Sequence, residues 1–346
     1  MSSHESGSPF SDQAKMVGSP SSGTYGSTIN DVEEGSGNDN DGQSLSRAGI
    51  PSLREPATFF DGKIRSIQDI EKKEWAFLIV FGIAILIAIV FTLYKLFTVD
   101  THHTDFVFAL VCGFNECVCF YYLLHGVLKE CRHEMIILVI TTIIMVVYLI
   151  VNYASGSQDK IKLARLIIGC CLAPVVVVMG LYLGRKYHQP GWLLFRTVGA
   201  SFTLQAMCNK LFLFLDLLKL DLQLGITLAF FTHVNDPNVK TLDIVVLCVG
   251  LVISGAWFIL GHMCVRRESK ILTYLFTVLS PLELCYVIYK IAMASTHLTL
   301  FPALAPCSIA TGLLAVVVRI IVIILIYLVS MNYGKGLSEK VFGSQL

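Results

Sequence analysis

The chain has 346 residues, of which 55% are hydrophobic and 15% are charged, and its mean hydropathy is +0.69. An ordinary soluble domain is about half apolar and a quarter charged, so this excess of apolar side chains predicts a protein that is covered by lipid. The 26 basic and 25 acidic residues leave a net charge of only +1, and no bulk positive field favours nucleic acid as a partner.

The first 58 residues are rich in Ser, Gly, Asn, Asp and Pro and contain few aliphatic side chains. Such a segment cannot bury enough apolar surface to fold, so we expect residues 1–58 to form a disordered cytosolic tail. It begins without a basic segment followed by an apolar stretch, which argues against a cleaved signal peptide. The first membrane span is then expected to act as its own signal.

From Trp75 onward, apolar stretches of the ~20 residues needed to cross a ~30 Å hydrocarbon core recur between short polar breaks. These runs are too long for barrel strands, and backbone groups in lipid must bond locally, so the runs predict helices. We expect an all-α polytopic membrane protein whose helical domain covers 59–333, followed by a short cytosolic tail at 334–346. Its predicted transmembrane spans lie near 76–98, 106–128, 134–153, 163–184, 211–231, 242–263, 271–295 and 303–330.

One stretch, 191–231, contains no helix breaker after Pro190 and would be ~60 Å long as a single helix, too long to lie wholly in the membrane. Its first half carries Arg196 and Gln205 beside an apolar stripe, a pattern typical of an amphipathic helix at a membrane surface. We therefore expect 191–210 to lie at the cytosolic face and 211–231 to cross. If the first half crosses instead, the number of spans and every later orientation change.

The distribution of basic residues predicts the orientation, since Lys and Arg concentrate in cytosolic loops. With the N-terminus in the cytosol, most basic side chains outside the spans lie on the cytosolic side. The opposite loops hold only Lys95, Lys160, Lys162, Arg165 and Lys240. Both termini are therefore expected in the cytosol.

Three ionisable residues are predicted near the middle of the membrane. Glu116, Glu283 and Arg319, in the second, seventh and eighth spans, each lie ~17 to 18 Å from the cytosolic boundary at ~1.5 Å per residue. Groups at this depth usually face the bundle interior with a partner, and a common depth permits mutual contact. Two carboxylates against one guanidinium leave either a net negative site or one protonated carboxyl, and a proton or cation pathway would use either state.

The alternative for these residues is structural, with Arg319 and one glutamate forming a buried pair and the other glutamate protonated. Asn115 lies beside Glu116, and Pro281 precedes Glu283 and frees a backbone carbonyl that can coordinate. These two neighbours favour a functional intramembrane polar site made of Asn115, Glu116, Glu283 and Arg319.

A secondary polar face is predicted in the fifth span, which contains Asp216, Lys219, Asp221 and Gln223. Asp216, Lys219 and Gln223 share one helical face through their spacing of three and four residues. An intrahelical ion pair near the cytosolic end, with the Lys219 side chain reaching toward the surface, accounts for this pattern structurally.

Polar residues on the opposite side of the membrane make a zinc-assisted hydrolase site geometrically conceivable. They are His102, His103, Asp105, His233, Asp236 and His297. No His-Glu-x-x-His or Cys-x-x-Cys motif supports them, and no nucleophile elbow or phosphate-binding loop is present, so we expect no catalytic residue and no cofactor. The C-terminal Gly343–Leu346 segment fits a PDZ-type ligand, with Ser344 and Leu346 in the recognised positions.

The segment Thr197–Gln205 (TVGASFTLQ), followed by Leu213–Asp221 (LFLDLLKLD), resembles an uncharacterised family of multi-spanning Golgi-apparatus membrane proteins best known from fungi. In that family, similar Gly-Ala-x-Leu and Leu-Leu-Lys-Phe-Asp elements join a polar helix to a membrane span. Here Leu220 stands in place of the Phe. The resemblance covers roughly 70–333 and implies an endomembrane location and no known activity.

Three classes of function follow as hypotheses. The leading one is an endomembrane transporter or scaffold that uses the midplane charges. The second is a receptor, although eight spans and the absence of Asp-Arg-Tyr and Asn-Pro-x-x-Tyr motifs argue against the rhodopsin-like type. The third is a lumenal zinc-dependent lipid hydrolase.

Overall fold

The computed structural model describes residues 58–59, 62–63, 70–99, 104–155, 160–188, 202–233, 241–296, 303–335 and 341. All of them belong to one compact unit, Glu55–Leu346. The predicted disordered tail, apart from Thr58, lies outside the described residues, and so does the PDZ-type C-terminus.

The described chain is α-helical apart from one very short hairpin. Strands β1 (Thr58–Phe59) and β2 (Gly62–Lys63) are antiparallel, with Thr58 opposite Lys63. Eight long helices follow: α1 (Lys72–Thr98), α2 (Thr104–Leu128), α3 (Arg132–Ser155), α4 (Lys160–Lys186), α5 (Phe202–His233), α6 (Thr241–Arg266), α7 (Lys270–Thr296) and α8 (Leu304–Ser330).

Seven of the described helices, all except α5, are long and apolar enough to cross a membrane. Many of their large apolar and aromatic side chains, such as Val90, Val252 and Tyr274, are exposed and would face lipid. The protein is therefore a multi-pass membrane protein of the all-α class, and its outer helices contact the bilayer.

Helix α5 differs from the others because it carries Lys210, Asp216, Lys219 and Asp221 within 12 residues. It nevertheless lies inside the bundle, since none of its residues from 211 to 231 is exposed. It begins at Phe202 and is continuous, so 202–210 extends this helix. The rest of the predicted surface helix, 191–201, lies outside the described residues.

The eight helices form two halves with the same packing order. In the first half, α1 packs on α2, α2 on α3, α3 on α4 and α4 on α1. In the second half, α5 packs on α6, α6 on α7, α7 on α8 and α8 on α5. Helices α2 and α3 also pack against α5, and we call this contact the junction. Each half therefore encloses its own interior, and α5 belongs both to the second half and to the junction.

Two tight turns connect α2 to α3 and α6 to α7 in the same way. In each, a glutamate adopts a left-handed backbone, Glu130 with φ 50° and Glu268 with φ 45°. The next amide bonds back across the helix end: the Cys131 amide donates to the carbonyl of Gly126 at 3.1 Å, and that of Ser269 donates to the carbonyl of Cys264 at 3.3 Å. These bonds satisfy carbonyls that a helix end leaves open, and they fix where α3 and α7 begin.

Ion pairs join helix ends at both faces of the first half. Lys186, at the end of α4, lies 2.7 Å from Glu71 and 2.9 Å from Glu74 at the start of α1. At the other face Lys162 lies 2.6 Å from Asp105. We call these the Lys186 face and the Lys162 face. They mark the two ends of α1–α4 and so the two sides of the membrane.

Close packing inside the second half predicts a large difference between two glycines of α6. A Cβ atom at Gly261 would lie 2.8 Å from Leu218 Cδ2 and 2.9 Å from Phe276 Cε2, whereas one at Gly255 would meet nothing within 4 Å. Gly261→Ala should therefore lower the free energy of unfolding by about 1–3 kcal/mol through overpacking. Gly255→Ala is the matched control and should be neutral or stabilising by up to about 1 kcal/mol. Thermal unfolding of both purified variants measures the change in stability. An equal loss of stability in the two variants would show that the contacts around Gly261 are not tighter than those around Gly255.

Candidate functional site

The interior of the second half contains a buried ionic triad of Arg319 from α8, Asp221 from α5 and Glu283 from α7. The Arg319 guanidinium donates to both Asp221 oxygens, through Nε at 3.1 and 3.2 Å and through Nη2 at 2.6 Å. Its Nη1 donates to Glu283 Oε2 at 2.8 Å. All three side chains are at most 3% exposed. The triad holds three helices of the second half together.

The charges of this triad do not balance. With all three groups ionised, two carboxylates face one guanidinium, which leaves one negative charge inside the membrane domain. Among the described residues, Glu283 Oε1 is buried and has no hydrogen-bond partner, and the same holds for the hydroxyls of Ser280 and Tyr286 on the same helix. A carboxylate oxygen in this state can bind a proton or a cation, which would neutralise the site.

Aromatic rings and a proline surround the triad. The Arg319 guanidinium lies 5.5 Å from the centroid of the Trp257 ring, which stacks on Phe276 at 3.8 Å. Pro281, inside α7, lacks the amide that would bond to the carbonyl of Thr277. The Trp257 ring therefore screens the charge of Arg319 on one side, while α7 has a weakened helical ladder beside Glu283.

A second buried cluster occupies the junction and centres on Glu134 of α3, which is fully buried. Both of its oxygens lie 2.7 Å from Nδ1 of His125 on α2, and Oε1 also accepts from Lys219 of α5 at 2.8 Å. Lys219 donates to Asp216 as well, at 3.4 Å. This cluster links both halves through charged hydrogen bonds.

Three potential metal ligands lie beside this cluster. Sγ of Cys131, a ring nitrogen of His133 and a carboxylate oxygen of Asp216 all lie within 4.8 Å of one another. The Cys131 thiol donates to Asp216 at 3.1 Å. Burial, and then the nearby Asp216 carboxylate, raise the pKa of this thiol well above its ordinary value, which keeps its proton in place. A divalent ion here would have to displace that proton.

The junction also contains an uncharged contact deeper in the bundle. Gln223 of α5 donates to the side-chain carbonyl of Asn115 at 2.7 Å, and Asn115 donates to the Thr227 hydroxyl at 3.2 Å. Asp216, Lys219, Gln223 and Thr227 follow one another at three- and four-residue steps. They form one polar face of α5 that runs along the junction.

A third ionic group lies inside the first half, where Glu116 of α2 meets Arg165 of α4 and Thr92 of α1. The Thr92 hydroxyl donates to Glu116 Oε1 at 3.1 Å and accepts from Arg165 at 3.0 Å. The Arg165 and Glu116 charges are 4.0 Å apart. Glu116 Oε2 is buried and has no hydrogen-bond partner among the described residues.

The structure distributes the residues of the predicted polar site over different places. Glu283 and Arg319 are in contact, but Glu116 lies in the first half and bonds to Thr92, and Asn115 lies in the junction. The guanidinium does face two carboxylates, and the second one is Asp221. A common depth does not bring Glu116 to Arg319, because Glu116 faces Thr92 and Arg165 in the first half, whereas Arg319 faces Asp221 and Glu283 in the second.

The secondary polar face is divided in the same way. Asp216, Lys219 and Gln223 point into the junction, whereas Asp221 points to α8. Lys219 does not reach the surface, since its side chain is only 11% exposed and it bonds to a carboxylate of another helix. Lys219 stays in the interior because Glu134 offers its ammonium a buried carboxylate, which replaces the water that it would reach at the membrane boundary.

The proposed zinc ligands fall mostly outside the described side chains. Those of His102, His103, His233, Asp236 and His297 are not among them. Asp105 is described, and it pairs with Lys162.

A bundle of long apolar helices with ionic clusters in its interior defines a polytopic α-helical membrane protein. The chain belongs to the family described as Domain of unknown function (DUF7789), whose model matches residues 61–185 and 198–328. The first matched segment contains nearly all of α1–α4, and the second nearly all of α5–α8. No curated protein and no solved structure matches the chain.

Proposed function

We propose that this protein is an endomembrane transporter that moves protons or small monovalent cations, with Glu283 as the group that takes up and releases the ion. The observation that supports this most is the uncompensated carboxylate beside Arg319. A structural ion pair requires only one acid, and Asp221 already pairs with Arg319 through two oxygens. The additional acid costs several kcal/mol in a membrane domain unless it binds a proton or a cation.

The arrangement of Glu283 supports a reversible step. Its Oε2 stays on Arg319, while Oε1 is buried without a hydrogen-bond partner among the described residues and the Ser280 and Tyr286 hydroxyls lie three residues away on the same helix. Ion binding at Oε1 would neutralise the triad. Ion release would restore its negative charge and its attraction to Arg319. The two states differ in the charge that holds α7 against α8, which couples ion occupancy to helix packing.

The location and orientation belong to the same proposal. The resemblance of Thr197–Asp221 to multi-spanning Golgi proteins supports a Golgi or related membrane, and the excess of Lys and Arg on one side supports cytosolic termini. With that orientation, the Lys186 face is cytosolic and the Lys162 face is lumenal.

Replacing Glu283 with Gln tests transport against a structural role. The variant keeps an oxygen for Arg319 but removes the excess charge, so we expect the melting temperature to hold or rise while ion flux is lost. Flux is measured in liposomes with an enclosed pH-sensitive dye under proton gradients, and with enclosed sodium- and potassium-sensitive dyes under gradients of those ions. Glu71→Gln, the same change in a carboxylate that is 56% exposed, is the control and should keep wild-type flux.

Two results of this experiment would argue against transport by Glu283. Normal flux through a well-folded Glu283→Gln variant would remove Glu283 from the pathway. A lower melting temperature with unchanged flux per folded molecule would show that the triad is a structural support, as expected for a scaffold.

A further inference from the structure

An apolar slot lies inside the first half, between α1, α2, α3 and α4. Small residues on the two facing helices, Ala84 and Ala88 on α1 and Gly169 and Ala173 on α4, form part of its wall. The side chains of Ala84 and Ala88 are only half-buried. The slot therefore opens sideways between α1 and α4, and both of these helices are long and apolar enough to cross the membrane.

The surroundings of this opening identify what fills it. A gap between two membrane-spanning helices faces hydrocarbon, and its walls lose dispersion contacts unless an apolar molecule occupies it. Along α4 the slot runs from Arg165 to Val176, which is ~16 Å at the helical rise. One leaflet contributes about half of a ~30 Å hydrocarbon core, so the slot matches the depth of one lipid chain.

The polar end of the slot lies near one membrane face. Arg165 is five residues from the start of α4, ~8 Å from the Lys162 face, and Thr92 is six residues from the end of α1, ~9 Å from it. Glu116 lies deeper, 12 residues or ~18 Å from the start of α2, and its carboxylate reaches Thr92 at 3.1 Å and Arg165 at 4.0 Å. A lipid with its head group at this end and its chain along the slot would lie in the orientation that it has in the leaflet.

The charges at this end select the kind of head group. Glu116 and Arg165 cancel each other, so the site has no net charge with which to attract an anionic or cationic lipid. The site does contain an unsatisfied hydrogen-bond acceptor, Glu116 Oε2, which is buried and has no partner among the described residues. A hydroxyl would donate a hydrogen bond to this oxygen without bringing a charge into the slot.

We propose that the slot binds a single acyl chain of a neutral membrane lipid, and that a hydroxyl of its head group donates to Glu116 while Arg165 and Thr92 hold that carboxylate in place. Monoacylglycerol has this chemistry. The site is separate from the Arg319 triad, so the proposal does not depend on ion transport by Glu283.

Photocrosslinking of the full-length protein in phosphatidylcholine nanodiscs tests the proposal. The probe is a monoacylglycerol with a diazirine in its chain and an alkyne tag. We expect it to label peptides of α1 and α4, and unlabelled monoacylglycerol should compete. A fatty acid probe with the same chain carries a carboxylate and should label these peptides much less.

Two pairs of variants locate the chain and the head group. Ala88→Phe fills the slot and should abolish labelling, whereas Ile87→Phe, which introduces the same side chain at a neighbouring lipid-facing position that is 46% exposed, should preserve it. Glu116→Gln removes the charged acceptor and should reduce labelling about fivefold, the effect of losing one hydrogen bond of about 1 kcal/mol. Glu283→Gln, in the other half, should label normally.

Several outcomes would overturn the proposal. Equal labelling of Ala88→Phe and Ile87→Phe would show that the chain does not lie in the slot. Stronger labelling by the fatty acid probe would show that the site selects an anion, and labelling spread over α6 to α8 would show annular lipid only. If Ala88→Phe fails to fold, unlabelled monoacylglycerol must still compete at α1 and α4 of the wild-type protein, and failure to compete rejects the site.

Discussion

Replacing Arg319 with Met is expected to lower the free energy of unfolding by about 3–5 kcal/mol, since it leaves Asp221 and Glu283 buried without their shared cation. Both carboxylates would lose charged hydrogen bonds of 2.6 to 3.2 Å. Water would not replace these bonds, because the two side chains are at most 3% exposed. The stability of Arg319→Lys should lie between those of the wild type and Arg319→Met. An ammonium restores the positive charge but not the planar guanidinium that donates to both Asp221 oxygens. Unfolding in mixed detergent micelles, followed by circular dichroism, measures the loss.

The triple variant Asp221→Asn, Glu283→Gln and Arg319→Met separates the loss of charge balance from the loss of packing. It removes all three charges and should recover most of the stability that Arg319→Met loses. Arg267→Met, which removes an exposed guanidinium in the α6–α7 turn, is the control and should change stability by less than about 0.5 kcal/mol. A triple variant as unstable as Arg319→Met would show that the cost arises from the shape of the arginine side chain.

Replacing Lys219 with Met should destabilise the protein by a similar amount, about 3–5 kcal/mol, through the junction. Its ammonium lies 2.8 Å from Glu134 and 3.4 Å from Asp216, so its loss leaves two buried carboxylates near each other. The measurement is the same detergent unfolding. Because these side chains come from both halves, we also expect limited proteolysis to cleave between α4 and α5 faster in the variant.

Lys210→Met is the matched control for this prediction, since it removes the same side chain from an exposed position of the same helix. It should leave stability within about 0.5 kcal/mol of wild type. Adding Glu134→Gln to Lys219→Met should restore part of the lost stability. If it restores none, then Glu134 does not depend on Lys219, and His125 at 2.7 Å is its sufficient partner.

The helices of the protein follow from its sequence because each apolar run is long enough to cross the hydrocarbon core and ends at a polar break. Helix α5 is the exception. It carries Asp216, Lys219 and Asp221 within its predicted span, and these charged residues mark it as the helix that the others surround. Its continuity from Phe202 was not predicted, because the polarity of 202–210 is equally typical of a helix at the membrane surface.

The partners of the charged residues were harder to predict, because depth in the membrane does not say which way a side chain points. Asp221 lies five residues after Asp216, which places it about 140° around the helix at 3.6 residues per turn. This angle turns it away from the junction and toward α8. The spacing was visible in the sequence, but the position of α8 beside that face was not.

Glu134, His125 and Arg165 were missed as site residues for a related reason. Glu134 is the first residue of a predicted span and received no role, and Arg165, close to the start of another span, was counted among the loop charges. In the structure their side chains extend into the bundle, where Glu134 is fully buried and Arg165 reaches Thr92. A long side chain near a helix end can thus belong to the interior of a membrane protein.

The burial of Asp221 in α5 has a consequence for biosynthesis. Its guanidinium partner lies 98 residues later in the chain, in the last long helix, so α5 leaves the ribosome well before Arg319 exists. A helix with four charged residues inserts poorly into lipid by itself. Full stabilisation of α5 therefore depends on the synthesis of α8, and truncation before α8 would leave Asp221 in the membrane domain without its cation.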